Sequence, residues 1–370
     1  AMKNVVDSGA QAALMAPTEI LARQHVETLR PYFESAGIPF TVLTGRDKGK
    51  AREKILAAIS SGEARIVIGT HALFQDGVAF ADLGLAVIDE QHRFGVHQRL
   101  QLSGKSAGTD VLVMTATPIP RTLALTAYGD MEVSRITGKP AGRKPIDTRL
   151  IPQDSLDEMI ARLGEQIRQG VQIYWVCPLV EESEILDLAA AEDRALVLQQ
   201  LFGEKVGLVH WRMKPTEKDA VMEKFANGAI SILVATTVIE VGVNVPNATI
   251  MVIEHAERFG LAQLHQLRGR VGRGSGPASC ILLASSLRTN LASKRLKIME
   301  KTNDGFAIAE EDLKIRGVGD MLGVRQSGMP PFRIGDIVRD IDIMARARRI
   351  AEEYTKTLSD DELQGLVAAI

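Results

Sequence analysis

Asp89-Glu90-Gln91-His92 sets two carboxylates directly after the apolar run Leu85-Ala86-Val87-Ile88. An acidic pair at the carboxyl end of a buried strand stands where open α/β sheets bind their ligands. One carboxylate there can hold Mg²⁺ through its water shell, and its neighbour can orient or deprotonate an attacking water. Thr115-Ala116-Thr117-Pro118 closes another apolar run and offers small hydroxyls that can hydrogen-bond toward the first site. In residues 263–273, three arginines alternate with glycines, at Arg268, Arg270 and Arg273. Glycine permits close backbone approach, and arginine supplies forked donors for phosphate oxygens.

These residues need a scaffold, and short apolar runs provide one. The runs are residues 12–15, 66–68, 85–88, 111–114, 173–177, 206–209, 230–235, 250–253 and 280–284. Runs apolar on both faces, separated by helical stretches, predict βαβ units and parallel sheets covered on both sides. The spacing breaks at 134–144, where Gly138, Pro140, Gly142 and Pro145 surround basic residues without periodicity, as in a linker. Four runs precede this break and five follow it. Residues 304–328 are rich in glycine and charge, and 341–356 read as an amphipathic helix.

In this order and at these distances the segments resemble superfamily 2 helicases over almost the whole chain. Residues 89–96 and 257–266 narrow the likeness to the bacterial RecG family, which remodels forked and branched DNA. The resemblance implies two RecA-like doubly wound α/β domains and a C-terminal extension. The first would span 1–137, a linker 138–146, the second 147–287 and the extension 288–370. ATP and Mg²⁺ are the implied cofactors, and branched or forked DNA the implied partner. Asp89 would hold Mg²⁺, Glu90 would act on water, and Arg270 and Arg273 would be fingers on the γ-phosphate. Pro17, Thr18, Glu19, Gly69, Thr70 and His71 match segments that contact the DNA backbone. Gln266 and His92, with Thr115 and Thr117, would couple nucleotide to DNA. Thr236, Thr237, Gly242 and Asn244 match a motif between nucleotide and DNA, and Arg316 and Gln326 fall in a translocation motif.

Three features depart from the family pattern. The phosphate-binding loop, which ends in Gly-Lys-Ser/Thr, has no match. Gly104-Lys105-Ser106 has Arg99 where the pattern needs glycine, and follows a helical stretch rather than a strand. The resemblance places the chain's start inside the helix after that loop, so the loop and a first strand are one absence. The expectations are a chain inactive as an ATPase by itself and an exposed strand edge in the first domain that another chain could cover. Asn244 stands where an acid is usual, and Trp211 where glycine is usual. Two other readings are a non-catalytic duplex-DNA-binding module and the motor of a transcription-repair coupling translocase.

Composition sets the outer limits. Hydrophobic residues are 45%, charged residues 24% and the net charge is -2, which fits a globular protein with at most a local basic track. Cys177 and Cys280 lie far apart in apolar runs, which suits reduced thiols in a cytoplasmic protein. No histidine clusters with them at zinc-ligand spacing. No apolar run approaches membrane-spanning length.

Overall fold

β1 (Gln11–Met15) is buried at all five positions, as an apolar strand covered on both faces must be. The computed structural model describes residues 1–75, 77–90, 108–116, 133–138, 142–178, 184–236, 245–274, 276–316, 341–355, 357–358 and 362. In it β1 lies between β3 (Ile66–Gly69) and β4 (Leu83–Asp89), parallel to both. β2 (Phe40–Leu43) and β5 (Asp110–Met114) extend the sheet to the order β2-β3-β1-β4-β5. The short α1 (Met2–Asp7) precedes β1. α2 (Glu19–Ser35) buries Ala22, Val26 and Phe33 along one stripe against Ala12, Leu14, Ile66, Ile68, Leu85 and Val87. On the opposite face Ile59 of α3 (Gly49–Ser60) joins Met15, Leu43, Val67 and Ile88.

The second sheet is built from β6 (Ile146–Pro152), β7 (Gln172–Val176), β8 (Val206–Val209), β9 (Ile232–Ala235), β10 (Ala248–Ile253) and β11 (Ala278–Ala284). Its order is β6-β11-β10-β7-β9-β8, with every pairing parallel. α4 (Leu156–Arg168), α5 (Glu184–Phe202) and α6 (Pro215–Ala226) fall between its strands in sequence. α7 (Leu261–Arg268) follows β10, and α8 (Asn290–Lys301), α9 (Gly305–Arg316) and α10 (Ile341–Thr355) follow β11. Trp175, Ile173, Val234 and Val252 centre its core, with Ile160 and Leu163 of α4 and Ala191, Ala195 and Leu198 of α5.

All nine expected runs are strands, and two further strands correct the count to five and six. β2 alternates Phe, Thr, Val and Leu and is only part-buried at three of four positions. β6 ends its sheet and exposes alternate side chains, so neither forms a continuous apolar run. The expected helix at the C-terminal end is α10.

The two sheets repeat one plan. β1, β2, β3, β4 and β5 take the same relative places as β7, β8, β9, β10 and β11. Both central strands open on a buried glutamine whose amide satisfies backbone carbonyls: Gln11 Nε2 donates to Ile59, in the last turn of α3, at 2.9 Å and to Ala64 at 2.7 Å, and Gln172 Nε2 to Ile230 at 3.0 Å. The chain divides into two compact units. One is residues 1–116 with 211–226 and 238–245, and the other is 117–210, 227–237 and 246–370.

Candidate active site

Parallel strands put their carboxyl ends on one edge. Asp89, the last residue of β4, pairs in register with Met114 of β5, while Met15 of β1 pairs with Gly69 and Ile88. The Ala16 N–H donates to the Gly69 carbonyl at 2.9 Å. Asp89, Glu90, Pro17, Thr18, Glu19, Gly69, Thr70, His71 and Thr115 are therefore gathered at the edge where such sheets bind ligands. Glu90 has φ 53°, one of two positive-φ non-glycine residues among those described. An L-residue there costs about 1–2 kcal/mol, strain of the kind that collects at functional turns. Asp89 takes a hydrogen bond through Oδ2 from His25 Nε2 of α2 at 2.8 Å. Its side chain is 20% exposed, so it can accept hydrogen bonds from water, which suits Mg²⁺ held through its hydration shell. Among the described residues no group of three or more His, Cys, Asp or Glu side chains converges as metal ligands.

Several neighbours have local structural duties. Thr18 caps α2, its hydroxyl accepting from the Leu21 N–H at 3.4 Å. Glu19 pairs with Arg46 at 2.6 Å. Gly69 has no room for a side chain, since a Cβ would meet the Leu43 carbonyl oxygen at 2.1 Å. Thr70 is buried and accepts from the Leu73 N–H at 3.0 Å through its carbonyl, whereas His71 is exposed. Thr115 is half-buried.

In the second unit, α7 starts at Gly260, whose N–H donates to Gln263 Oε1 at 3.1 Å. Gln266 and Arg270 are half-buried and Arg273 is exposed. Gly272 adopts φ +69° between the last two arginines, a conformation that favours glycine. Burial pushes the Tyr174 phenol of β7 up to about 12, against the opposing charges of Arg270 and Arg273. Both arginines therefore lie within electrostatic reach of one buried phenol. Arg268 behaves differently. It is 1% exposed and donates to the Met299 and Thr302 carbonyls at 2.8 and 2.9 Å. Burial lowers its pKa.

The strand ends of the second sheet carry one more buried acid. Glu254, just after β10, accepts from the Trp175 indole N–H and from Arg194 of α5, which engages both carboxylate oxygens. Thr236, after β9, is fully buried, and its hydroxyl has no hydrogen-bond partner among the described residues. Trp211 is 38% exposed and lies under the Arg212 guanidinium at 4.9 Å. His92, Thr117, Thr237, Gly242, Asn244 and Gln326 lie outside the described residues, as do Gly104-Lys105-Ser106 and the side chain of Arg316.

Sequence reasoning did not single out His25, Arg194, Glu254 or a separate place for Arg268. One signal was available for His25. It stands seven residues, two helical turns, after the cap Thr18 and so shares its face.

A model of DEAD/DEAH box helicases matches residues 1–126, one of the helicase conserved C-terminal domain matches 154–275, and one of ATP-dependent DNA helicase RecG, domain 3, C-terminal matches 302–365. ATP-dependent DNA helicase RecG of Streptococcus pneumoniae is 53% identical over 95% of this chain and 52% of its own length. The chain is homologous to bacterial RecG. The RecG of Escherichia coli strain K12 is 51% identical over 93% of this chain and 50% of its own length. A solved structure of RecG bound to a three-way DNA junction superposes with TM-score 0.73 and 42% identity, over 93% of this chain and 45% of that one. The chain thus spans about half the length of the RecG relatives it matches. Its two sheets are RecA-like domains of the superfamily 2 kind, followed by helices in the region matching RecG.

Proposed function

We propose that the chain is the motor of a RecG-type, ATP-dependent DNA helicase that remodels branched DNA in recombination and repair. The observation that carries this reading is the acidic strand end, Asp89 followed by the left-handed Glu90, at the ligand-binding edge of a sheet in a RecG homologue. Asp89 would hold Mg²⁺ through the ion's hydration shell. Glu90 orients the attacking water and takes its proton. Arg270 and Arg273 stabilise the transferring phosphoryl group, and Gln266 contacts the nucleotide together with Gly242 and Asn244. Mg²⁺, when bound with ATP, would neutralise charge that develops on the phosphates. Pro17, Thr18, Glu19, Gly69, Thr70 and His71 meet the DNA backbone. His92, Thr115, Thr117, Thr236, Thr237, Arg316 and Gln326 couple the nucleotide to DNA. The domain limits proposed are 1–137, 147–287 and 288–370, joined by a linker at 138–146.

The phosphate-binding loop of such a motor is proposed to come from sequence outside this chain. Support comes from the internal repeat. β11 pairs on its far side with β6, which precedes the central strand β7. The matching edge of β5 has no partner among the described residues, and Leu112 on it is 41% exposed. A parallel strand on that edge would deliver its following loop beside Asp89. Without it, the chain is expected to turn over ATP very slowly, and another chain could cover the edge. Two buried free thiols, Cys177 and Cys280, support a cytoplasmic setting.

The test is binding of a fluorescent ATP analogue, with and without forked DNA, to this chain and to a version extended upstream. Tight, fork-sensitive binding only in the extended version supports the proposal. Fork binding with no nucleotide response in either version would instead identify a DNA-binding module.

A further inference from the structure

The repeat of the two sheets reaches their strand ends. β4 and β10 occupy matching places, and their sequences continue alike: Val87-Ile88-Asp89, then Arg93-Phe94-Gly95, against Val252-Ile253-Glu254, then Arg258-Phe259-Gly260. The residues after the two acids, Glu90 and His255, are the two described non-glycine residues with positive φ, 53° and 47°. The helix after each central strand, α2 after β1 and α5 after β7, sends a basic side chain to that acid. His25 reaches Asp89 and Arg194 reaches Glu254.

The two versions differ in how much of the acid they occupy. Arg194 engages both oxygens of Glu254 and the Trp175 indole adds a further donor. The acid there is closed, with a fixed positive charge in the place of a cation. His25 engages only Oδ2 of Asp89, and Oδ1 has no partner among the described residues. Asp89 is also the more open, at 20% side-chain exposure against 7% for Glu254.

We propose that His25 is the positioning residue of Asp89: it fixes Oδ2 and thereby turns Oδ1 toward the hydration shell of the divalent cation. This rests on the reading of Asp89 as the cation-holding carboxylate. A single ring N–H sets the rotamer of a carboxylate without consuming it, which is how supporting side chains tune metal ligands. An arginine suits this less well, because its planar fork can take both oxygens, as Arg194 does, and its permanent charge competes with the cation. The second sheet displays that closed arrangement.

The test uses Mn²⁺ with ADP, read from the electron paramagnetic resonance of free Mn²⁺, in this chain and in its upstream-extended version. Asp89→Asn marks the loss expected when the carboxylate itself is gone. His25→Leu is expected to weaken Mn²⁺ binding roughly 10-fold, and His25→Gln, which keeps an N–H near the ring Nε2 position, to restore it to within about 3-fold of wild type. His25→Arg is expected to match Asp89→Asn by closing the acid as Arg194 closes Glu254. His25 is part-exposed, so none of these variants threatens the core. Wild-type binding in His25→Leu and His25→Arg beside a weakened Asp89→Asn would overturn the role of His25 alone. Undiminished binding in Asp89→Asn would overturn the reading of Asp89 and this inference with it.

Discussion

Arg268 donates to the backbone carbonyl of Met299 at 2.8 Å, turning inward from a segment whose other arginines, Arg270 and Arg273, stay solvent-accessible. It also reaches the Thr302 carbonyl at 2.9 Å, Thr148 Oγ1 at 3.3 Å and His265 Nδ1 at 3.1 Å. Met299 and Thr302 lie at the C-terminal end of α8, where a guanidinium meets the negative end of the helix dipole. One side chain thus ties β6, α7 and α8 together. Arg268→Leu leaves two carbonyls unserved and is expected to destabilise the second unit by about 3–5 kcal/mol. Arg268→Lys keeps the charge, loses the fork and should fall between. Urea unfolding followed by Trp175 fluorescence in a Trp211→Phe background measures both.

Gly69 is expected to be a packing position before it is a DNA contact. Gly69→Ala forces β2 and β3 apart, because the new Cβ would stand 2.1 Å from the Leu43 carbonyl oxygen. A loss of about 3 kcal/mol in the first unit is expected. Equal thermal stability with weaker DNA binding would contradict this.

The Arg194–Glu254 pair should show strong coupling. Arg194→Met leaves a buried carboxylate without its counter-charge and is expected to cost about 3–5 kcal/mol. Glu254→Gln combined with Arg194→Met removes that charge and should recover part of the loss. A double-mutant cycle in urea measures the coupling, and additive losses would contradict the account.

Tyr174 supplies a pH signature. Its ordinary value is 10.0 and burial raises it to about 12, against Arg270 and Arg273. Its neutral form therefore contributes stability in full below pH 10, and that contribution fades as pH rises toward 12. Absorbance titration should show a phenolate appearing near pH 12 that is absent in Tyr174→Phe. Arg270→Gln, which removes an opposing charge, should shift it higher still. An unchanged titration would mean that Arg270 does not face the phenol.

Nine strands and the Asp89–Glu90 strand end were legible in the sequence, because covered parallel strands leave unbroken apolar runs. β2 and β6 escaped notice because their alternating or edge-exposed residues carry no such run. The arginines of 263–273 looked equivalent by spacing. Only the packing of α7 against α8 sends Arg268 inside and leaves Arg273 exposed. Which acids His25 and Arg194 meet was not legible, for a related reason. Each meets its acid across a distance in sequence, 64 and 60 residues, that periodicity within one helix does not register.

Asp89 and Glu90 are proposed to form the hydrolytic edge of a DNA-driven motor that is completed by a phosphate loop outside these residues. Steady-state ATP hydrolysis with forked DNA, comparing this chain, the upstream-extended chain and its Glu90→Gln variant, tests it most directly. The account predicts negligible turnover in the chain alone, DNA-stimulated turnover in the extended chain, and a fall of about 100-fold or more in Glu90→Gln. DNA-stimulated turnover by this chain alone, abolished by Glu90→Gln, would contradict the upstream loop. Turnover in the extended chain untouched by Glu90→Gln would contradict the site itself.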